Sequence, residues 1–453
     1  MYNKTVKKSR YGQKLKGFAE KILGWISSHA DITLFALALA VLAFSLLGPG
    51  KKVITEVTAP NLVFVHSWEH QEDLLKTIKE EFEAVHPGIK ITPEYRPWEE
   101  LRTLLYDSPG QGAANDANDS SRDSPSNITK TDVIKADVIS MDPLWETDLA
   151  CKEIIEDETY PLLNFFNLLF YNTEILKNAG FSVPPKTRAE FLDQTRACTD
   201  PDSGVFGIAL ALDSANSRGI YRDIYSWIWA SGNTLLDQHK PQLRSRVFAE
   251  TLDFLSLLEK EKILYPNIFS LGEDEKRRVF LEGKTAFMIG SAEDLEYLRQ
   301  SLGESLGYTA VPAPNNYAGK PVFGGGGWDL AISRSSEHRD EALSFISFLQ
   351  EQSGRLALNW AIPEETPGSF GPGQQVSGSS ADANQQRDPF YSKIKEFYIN
   401  ADSVREFSGQ RDEGELEKSF RENLMDLFEG RSGAAGTADA IQKAWEAILD
   451  RAP

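Results

Sequence analysis

Cysteine is scarce in this chain: Cys151 and Cys198 are the only two in 453 residues. Two thiols cannot staple a small disulfide-dense fold, nor can they build a four-cysteine metal centre. Histidine is also rare, with six residues and no His-Glu-x-x-His pair, so metal catalysis has no visible ligand set and no metal or cofactor is expected. Positive charge is in deficit. Lys and Arg number 48 against 67 Asp and Glu, a net charge of −19, and no basic stripe follows the N-terminus. Such a chain repels phosphate backbones, which excludes nucleic acid as a partner. Other enzyme signatures fail on single positions. Gly283-Lys284-Thr285 ends like a phosphate loop, but Arg278 stands where that loop needs glycine. Gly325 and Gly327 begin a dinucleotide fingerprint whose third glycine is replaced by Leu330, and no Gly-x-Ser-x-Gly elbow exists. Paired carboxylates such as Glu99 and Glu100 read as a solvated helix face. A glycosidase acid–base pair stays open, because its two members can be distant in the chain.

What is present is an ordinary globular composition, 41% hydrophobic, long enough for a large core in two or three domains. The N-terminus differs from the rest. Lys4, Lys7, Lys8, Arg10, Lys14, Lys16 and Lys21 precede an uncharged apolar run, residues 32–47, which ends at Gly48-Pro49-Gly50. Cations hold that side in the cytoplasm, so everything after Lys51 is expected to be exported. The small-x-small pattern from Ala36 to Ala40 lies in the middle of the run instead of at its exit, and no cysteine follows to carry a lipid. The run therefore reads as an uncleaved signal anchor, with a cleaved signal peptide as the alternative. This divides the start of the chain into a basic cytoplasmic segment, 1–31, a transmembrane anchor, 32–48, and a linker, 49–60.

Beyond the linker the pattern alternates between strand and helix. Residues 61–66 form an apolar strand, with Ser67-Trp68-Glu69 at its carboxyl end, the end at which open α/β sheets bind ligands. Residues 71–85 are amphipathic, with Leu74, Leu75, Ile78, Phe82 and Val85 on one face, and Pro87-Gly88 stops them. A strand at 89–95 and a helix at 98–106 follow. Residues 107–127 hold no aliphatic side chain larger than alanine, so they read as a mobile surface insertion. Strand 136–141 leads to Asp142 and Trp145. Strand 165–171 is capped into a helix by Asn172 or Thr173, and Gly180 ends that helix. Pro184-Pro185 forces an extended link before Thr187 caps a helix reaching about Cys198. After a turn at 200–204 and a strand at 206–210, a helix at 220–230 carries Trp227 and Trp229. Periodic helices are expected at 247–261, 276–281, 292–302, 340–350, 391–398, 416–428 and 438–449, with strands at 285–290 and 307–311. Residues 323–333, FGGGGWDLAIS, read as a glycine-rich turn feeding an aromatic and a short strand, and 368–386 as a second low-complexity loop.

The order LFYN, short helix, NAGF, PPKT, helix, TDP and glycine-bearing strand, with HPGIKI upstream and FGGGGWDLAIS downstream, resembles the extracellular solute-binding proteins of ABC importers, especially the sugar-binding branch. The likeness covers about residues 61–449. It implies a two-lobe α/β periplasmic-binding-protein-like fold with a hinge, here preceded by one N-terminal transmembrane helix. Lobe 1 would hold 61–160 and 306–350, and lobe 2 would hold 161–305 and 351–453. The ligand would lie between the lobes. The usual longer segment before the LFYN strand is shortened to CKEIIEDETYPLL, which puts in doubt any ligand contact that segment supplies. A disulfide between Cys151 and Cys198 would join the two lobes and hamper the hinge, so two buried thiols are expected.

Tryptophans beside acids at element ends are the remaining constellation: Trp68 with Glu69, Trp145 with Asp142, Trp227 and Trp229, and Trp328 with Asp329. A sugar offers an apolar face and a rim of hydroxyls, which a flat ring and a carboxylate match, although each tryptophan can equally be a core residue. Trp328 leads, because Gly324 to Gly327, above all Gly326 and Gly327, permit close backbone approach and positive φ. Micromolar capture needs about 8 kcal/mol, within reach of two buried aromatic faces and a few charge-assisted hydrogen bonds. The expectation is a non-enzymatic binding protein, its domain periplasmic or at the cell surface, that passes a carbohydrate to ABC permease subunits. Its rivals are an anchored glycan-acting enzyme and a sensory binding protein for a signalling partner.

Overall fold

The computed structural model describes residues 59–69, 71–107, 135–214, 218–353, 362–363, 393–394, 396–397, 400–405, 407 and 409–451. The apolar run 32–47, the body of the 107–127 insertion and the 368–386 loop lie outside them. Among the described residues no helix is long and apolar enough to cross a membrane.

Strand β1, Asn61–His66, pairs in parallel with β2, Lys90–Tyr95, and with β3, Val138–Met141. Parallel strands are covered on both faces, which accounts for their apolar runs. Helix α1, Glu72–Val85, buries Leu75, Ile78 and Phe82 on one side of this layer. Helix α2, Trp98–Asp107, puts Trp98, Leu101 and Leu105 into the core on the other side. A short helix α3, Glu146–Cys151, then leads into β4, Ile155–Asn172. At about 3.3 Å per residue its 18 residues reach about 60 Å.

That length makes β4 a beam shared by two sheet segments. Its first half pairs with the long strand β10, Val322–Ser333, whose far edge lies on β3. Its second half pairs with β8, Thr285–Ser291, and with β9, Leu306–Thr309, while β8 carries β5, Phe206–Ala209, and β6, Leu236–Asp237, pairs with β7, Lys240–Pro241, in a separate hairpin. The path is β2-β1-β3-β10-β4-β8-β5. Strand β4 begins ten residues earlier than the apolar run suggested, since the polar stretch IEDETYP has half-exposed side chains and owes its extended shape to the β10 ladder. The ladder slips twice, at its centre and again between Ala331 and Ser333. Trp328 opposes Leu163 but Asp329 opposes Pro161, leaving Leu162 as the extra residue of a bulge where proline has no N–H to give.

Local signals hold well in the second segment. The Asn172 side chain accepts from the backbone N–H groups of Glu174 and Ile175 to open α4, Thr173–Asn178, and Gly180 leaves it at φ +91°. Thr187 caps α5, Arg188–Cys198. A single wide turn, Ile220–Ile224, precedes α6, Tyr225–Ala230, and a Cβ on Gly219 would fall 1.4 Å from the Ala211 carbonyl oxygen, so only glycine allows this approach. Helices α7, Arg246–Lys260, α8, Glu273–Leu281, and α9, Leu295–Leu302, follow. Helix α10, Arg339–Glu351, covers the same face as α1. Helices α11, Glu413–Phe428, and α12, Ala434–Leu449, pack together, and the Trp445 indole N–H donates to the Leu416 carbonyl.

Two expectations are corrected. The glycine run is strand, not turn, and none of its residues has positive φ. Packing requires two of its glycines: a Cβ on Gly324 would meet the Trp229 ring at 2.7 Å, and one on Gly327 the Leu163 carbonyl at 2.5 Å, whereas one on Gly326 would meet nothing within 4 Å. Both thiols are free, but only Cys198 is buried, and burial pushes it up to about 11, whereas Cys151 ends α3 on the exposed side.

Candidate binding site

The bulge sits beside two adjoining chambers that share Phe165 and Glu293. The first, about 550 Å³ with the solvent at its mouth, is walled by Trp68, Trp328, Leu163 and Tyr297, with Glu69, Arg277 and Asp294 at its polar side. The second, about 440 Å³ on the same measure, is walled by the backbone of Gly325 to Gly327, by Tyr221 and Phe407, and by Asp142, Arg218 and Arg222.

Trp68 leaves the carboxyl end of β1, and its indole N–H donates to Ser140 Oγ at 2.7 Å. Trp328 follows the glycines and is 4% exposed. Its ring stands edge-on to Phe165, with centroids 6.0 Å apart, and to Trp68 at 6.5 Å. The Arg218 guanidinium lies 5.6 Å from the Trp328 ring and 5.0 Å from that of Trp98.

A charge network lines the cleft. Arg277, on α8, reaches Glu69 at 3.3 Å, Asp294 at 3.1 Å and Asp274 at 3.2 Å. Arg222 reaches Glu273 at 3.2 Å and Asp294 at 3.6 Å, and Lys276 binds Asp223 at 2.7 Å. Burial opposes ionisation of Asp294, but Arg277 and Arg222 outweigh it and hold the carboxyl below its ordinary value. Asp142 goes the other way: burial raises it, against the pull of Arg218, the Leu144 N–H and the Trp98 indole. Glu293 is also raised by burial, only partly countered by Arg218 and Arg222, and its Oε2 is a buried acceptor with no hydrogen-bond partner among the described residues.

The expected residues separate accordingly. Trp68, Glu69, Asp142, Gly326, Gly327 and Trp328 line the chambers. Asp329 points away on the alternate face of β10, packed opposite Met141 and Pro161. Trp145 is wholly buried against Trp98, Trp227 lies between Phe191 and Phe254, and Trp229 lies under Gly324. Among the described residues no cluster could hold a metal ion. Sequence reasoning missed Phe165, Arg218, Arg277 and Glu293. Only Glu293 had a readable signal, the Ser291-to-Asp294 capping box at the carboxyl end of β8.

Residues 67–355 match the family model of bacterial extracellular solute-binding proteins. The chain belongs to that family. A solute-binding protein is a receptor, not an enzyme, which agrees with the lack of a catalytic constellation in the sequence. A probable ABC transporter-binding protein of Deinococcus radiodurans is 27% identical over 203 residues, 42% of this chain and 46% of that protein, so the match spans about half of the relative's length. The fold is that of two-lobe binding proteins. The GacH receptor of Streptomyces glaucescens, solved unliganded and with acarbose, superposes with a TM-score of 0.65 at 17% identity, covering 87% of this chain and all of GacH. The maltose-bound MalE3 of T. maritima gives 0.64 at 17%, and an ABC transporter solute-binding protein of Thermotoga lettingae bound with α-D-tagatose gives 0.67 at 16%. Each covers 86% of this chain and all of the other.

Proposed function

We propose that this solute-binding protein captures a sugar or short oligosaccharide in the two-chambered cleft, outside the cytoplasm, and delivers it to ABC permease subunits. Residues 32–48 would anchor it in the cytoplasmic membrane, uncleaved. The observation that carries the reading is the juxtaposition of Trp68, Phe165 and Trp328 with Glu69, Asp142 and Glu293 around one cleft. Aromatic faces take the apolar side of a pyranose and carboxylates accept from its hydroxyls. Two chambers that share a wall suit more than one sugar ring. Relatives of the same fold solved with maltose, tagatose and acarbose support the ligand class. On this reading lobe 1 holds 61–160 and 306–350, lobe 2 holds 161–305 and 351–453, and β4 and β10 bend at the bulge when the lobes close.

Thermal-shift screening of the exported domain against mono- and oligosaccharides, amino acids and polyamines tests this. A ligand at a hundred times its Kd adds about 2.7 kcal/mol to stability. A rise in melting temperature confined to sugars supports the proposal, whereas a rise confined to amino acids or polyamines refutes it.

A further inference from the structure

The charged groups around the second chamber are unequally satisfied. Arg222 is held by Glu273 and Asp294, and Asp142 accepts from the Leu144 N–H and the Trp98 indole. Arg218 is held mainly by aromatic rings. It lies within cation–π range of two tryptophans, while its ion pair with Asp142 spans 3.8 Å, beyond hydrogen-bonding distance. Glu293, on the wall common to both chambers, has the unpartnered Oε2. A planar fork of N–H donors and a bare acceptor therefore line one space. A hydroxyl answers both, since its oxygen accepts while its hydrogen is donated. Formal charge points the same way. The charged residues lining the chamber are two of each sign, Arg218 and Arg222 with Asp142 and Glu293, so a charged ligand meets no excess of opposite charge there.

Resting on the sugar-cleft reading, we propose that Arg218 and Glu293 together read adjacent hydroxyls of an uncharged sugar or polyol and set selectivity against uronates and amino sugars. Arg218 donates to hydroxyl oxygens, and Glu293 accepts the hydroxyl hydrogens. Trp98 and Trp328 keep the guanidinium plane in position, so the fork needs little further ordering when the ligand arrives.

The test is calorimetric titration of the full chain with neutral sugars and polyols (glucose, galactose, mannitol, maltose and maltotriose), with glucuronate and galacturonate, and with glucosamine. Wild type should bind neutral members only. Arg218→Gln and Glu293→Gln should each weaken the best neutral probe at least tenfold. Their selectivity should move in opposite directions: Glu293→Gln, now a net positive chamber, should narrow the preference over uronates at least tenfold, and Arg218→Gln the preference over glucosamine. Tighter binding of the neutral probe by Arg218→Gln would overturn the proposal, because the side chain would then be an obstruction. So would two variants with unchanged affinity and selectivity. Trp328→Ala separates the levels of failure. If it abolishes sugar binding while both Gln variants are silent, only this inference falls. If wild type binds no sugar, or Trp328→Ala binds as wild type does, the sugar-cleft reading falls with it.

Discussion

Replacing Glu413 by Gln should remove a loss of stability that the wild type suffers as pH rises. Glu413 opens α11 with its side chain 1% exposed. It accepts from the hydroxyls of Tyr221 and Tyr106 and from Arg102, and Tyr106 and the Asp412 N–H are tied in turn to Asp148 on α3. Burial is the dominant influence on the carboxyl and pushes it up to about 7, with Arg102 and the Tyr221 hydrogen bond pulling down and Glu417 adding to the rise. A carboxyl whose value in the folded state lies above its unfolded value of 4.5 favours folding fully below pH 4.5, and that contribution is lost as pH rises to about 7. At about 1.36 kcal/mol per pH unit the loss is about 3 kcal/mol. His66 does the opposite. Buried beside Phe64 and Tyr95, it is lowered from 6.5 to about 4, so its contribution is present above pH 6.5 and is lost as pH falls to about 4, again about 3 kcal/mol. Between pH 4.5 and 6.5 the slopes of Glu413 and His66 oppose one another, and Asp223, also raised by burial, adds a second falling one. Glu413→Gln removes only its own falling slope and keeps the hydrogen-bonding shape. Urea unfolding of both proteins at pH 4.5, 5.5, 6.5 and 7.5 isolates the effect, because every other titrating group is common to the pair. The variant's stability minus that of the wild type should rise by about 3 kcal/mol across this range. A difference constant to within about 0.5 kcal/mol would refute the reasoning.

Three further outcomes are expected. Trp328→Ala should lower ligand affinity about thirty- to a thousandfold and also lower the ligand-free melting temperature, since the ring braces Trp68 and Phe165, whereas Trp328→Phe should retain part of both. Trp227→Ala should destabilise by about 3 to 5 kcal/mol with affinity unchanged, because its ring is enclosed by Phe191 and Phe254; weakened binding at full stability would return it to the site. Protease added to spheroplasts should digest the chain beyond about residue 51 and leave a membrane fragment containing 32–47, and a soluble product beginning after Leu47 would rule out the uncleaved anchor.

What could be read in advance was what neighbouring residues decide. The caps at Asn172 and Thr187 need only a short polar side chain next to a helix start, and both are made as expected. The apolar faces of α1 and α7 follow from helical spacing, except that Val85, expected on the α1 face, is 64% exposed at the last turn, where the helix has run past its neighbours. What escaped depends on distant partners. The polar first half of β4 is strand because β10 lies beside it, and the glycine run is strand because it pairs with β4, Trp229 and Leu163 leaving no room for a Cβ at Gly324 and Gly327. In the candidate site, Trp68 and Asp142 were legible from their places at strand ends, and Trp328 from the glycines before it, although it lies inside β10 and not at an end. Arg277 and Glu293 come from an exposed-looking helix and a short turn, and their meeting with Glu69 and Arg218 exists only once β8 is laid against β4.

The same geometry bears on how closure could be driven. Glu69 follows β1 in the first sheet segment, and Arg277 belongs to α8, which feeds β8 in the second, so their 3.3 Å pair spans the cleft. Glu69 keeps 30% of its side chain in solvent, and a pair of this kind contributes about 1 kcal/mol or less. Arg218 and Asp142 are better buried, but at 3.8 Å they lack a hydrogen bond, so they recover only part of what desolvation costs. On the proposed reading, contacts this weak would not lock the two segments together. Turning a population from 1:99 to 99:1 takes about 5.5 kcal/mol of preferential binding. If the proposed sugar stacks on two aromatic faces and bonds to Arg218 and Glu293 only when both segments reach it, those contacts are of the right size to supply that preference. On that reading, strengthening Glu69–Arg277 by burying it should trap the closed form and slow ligand dissociation measured by stopped flow, and an unchanged dissociation rate would refute it.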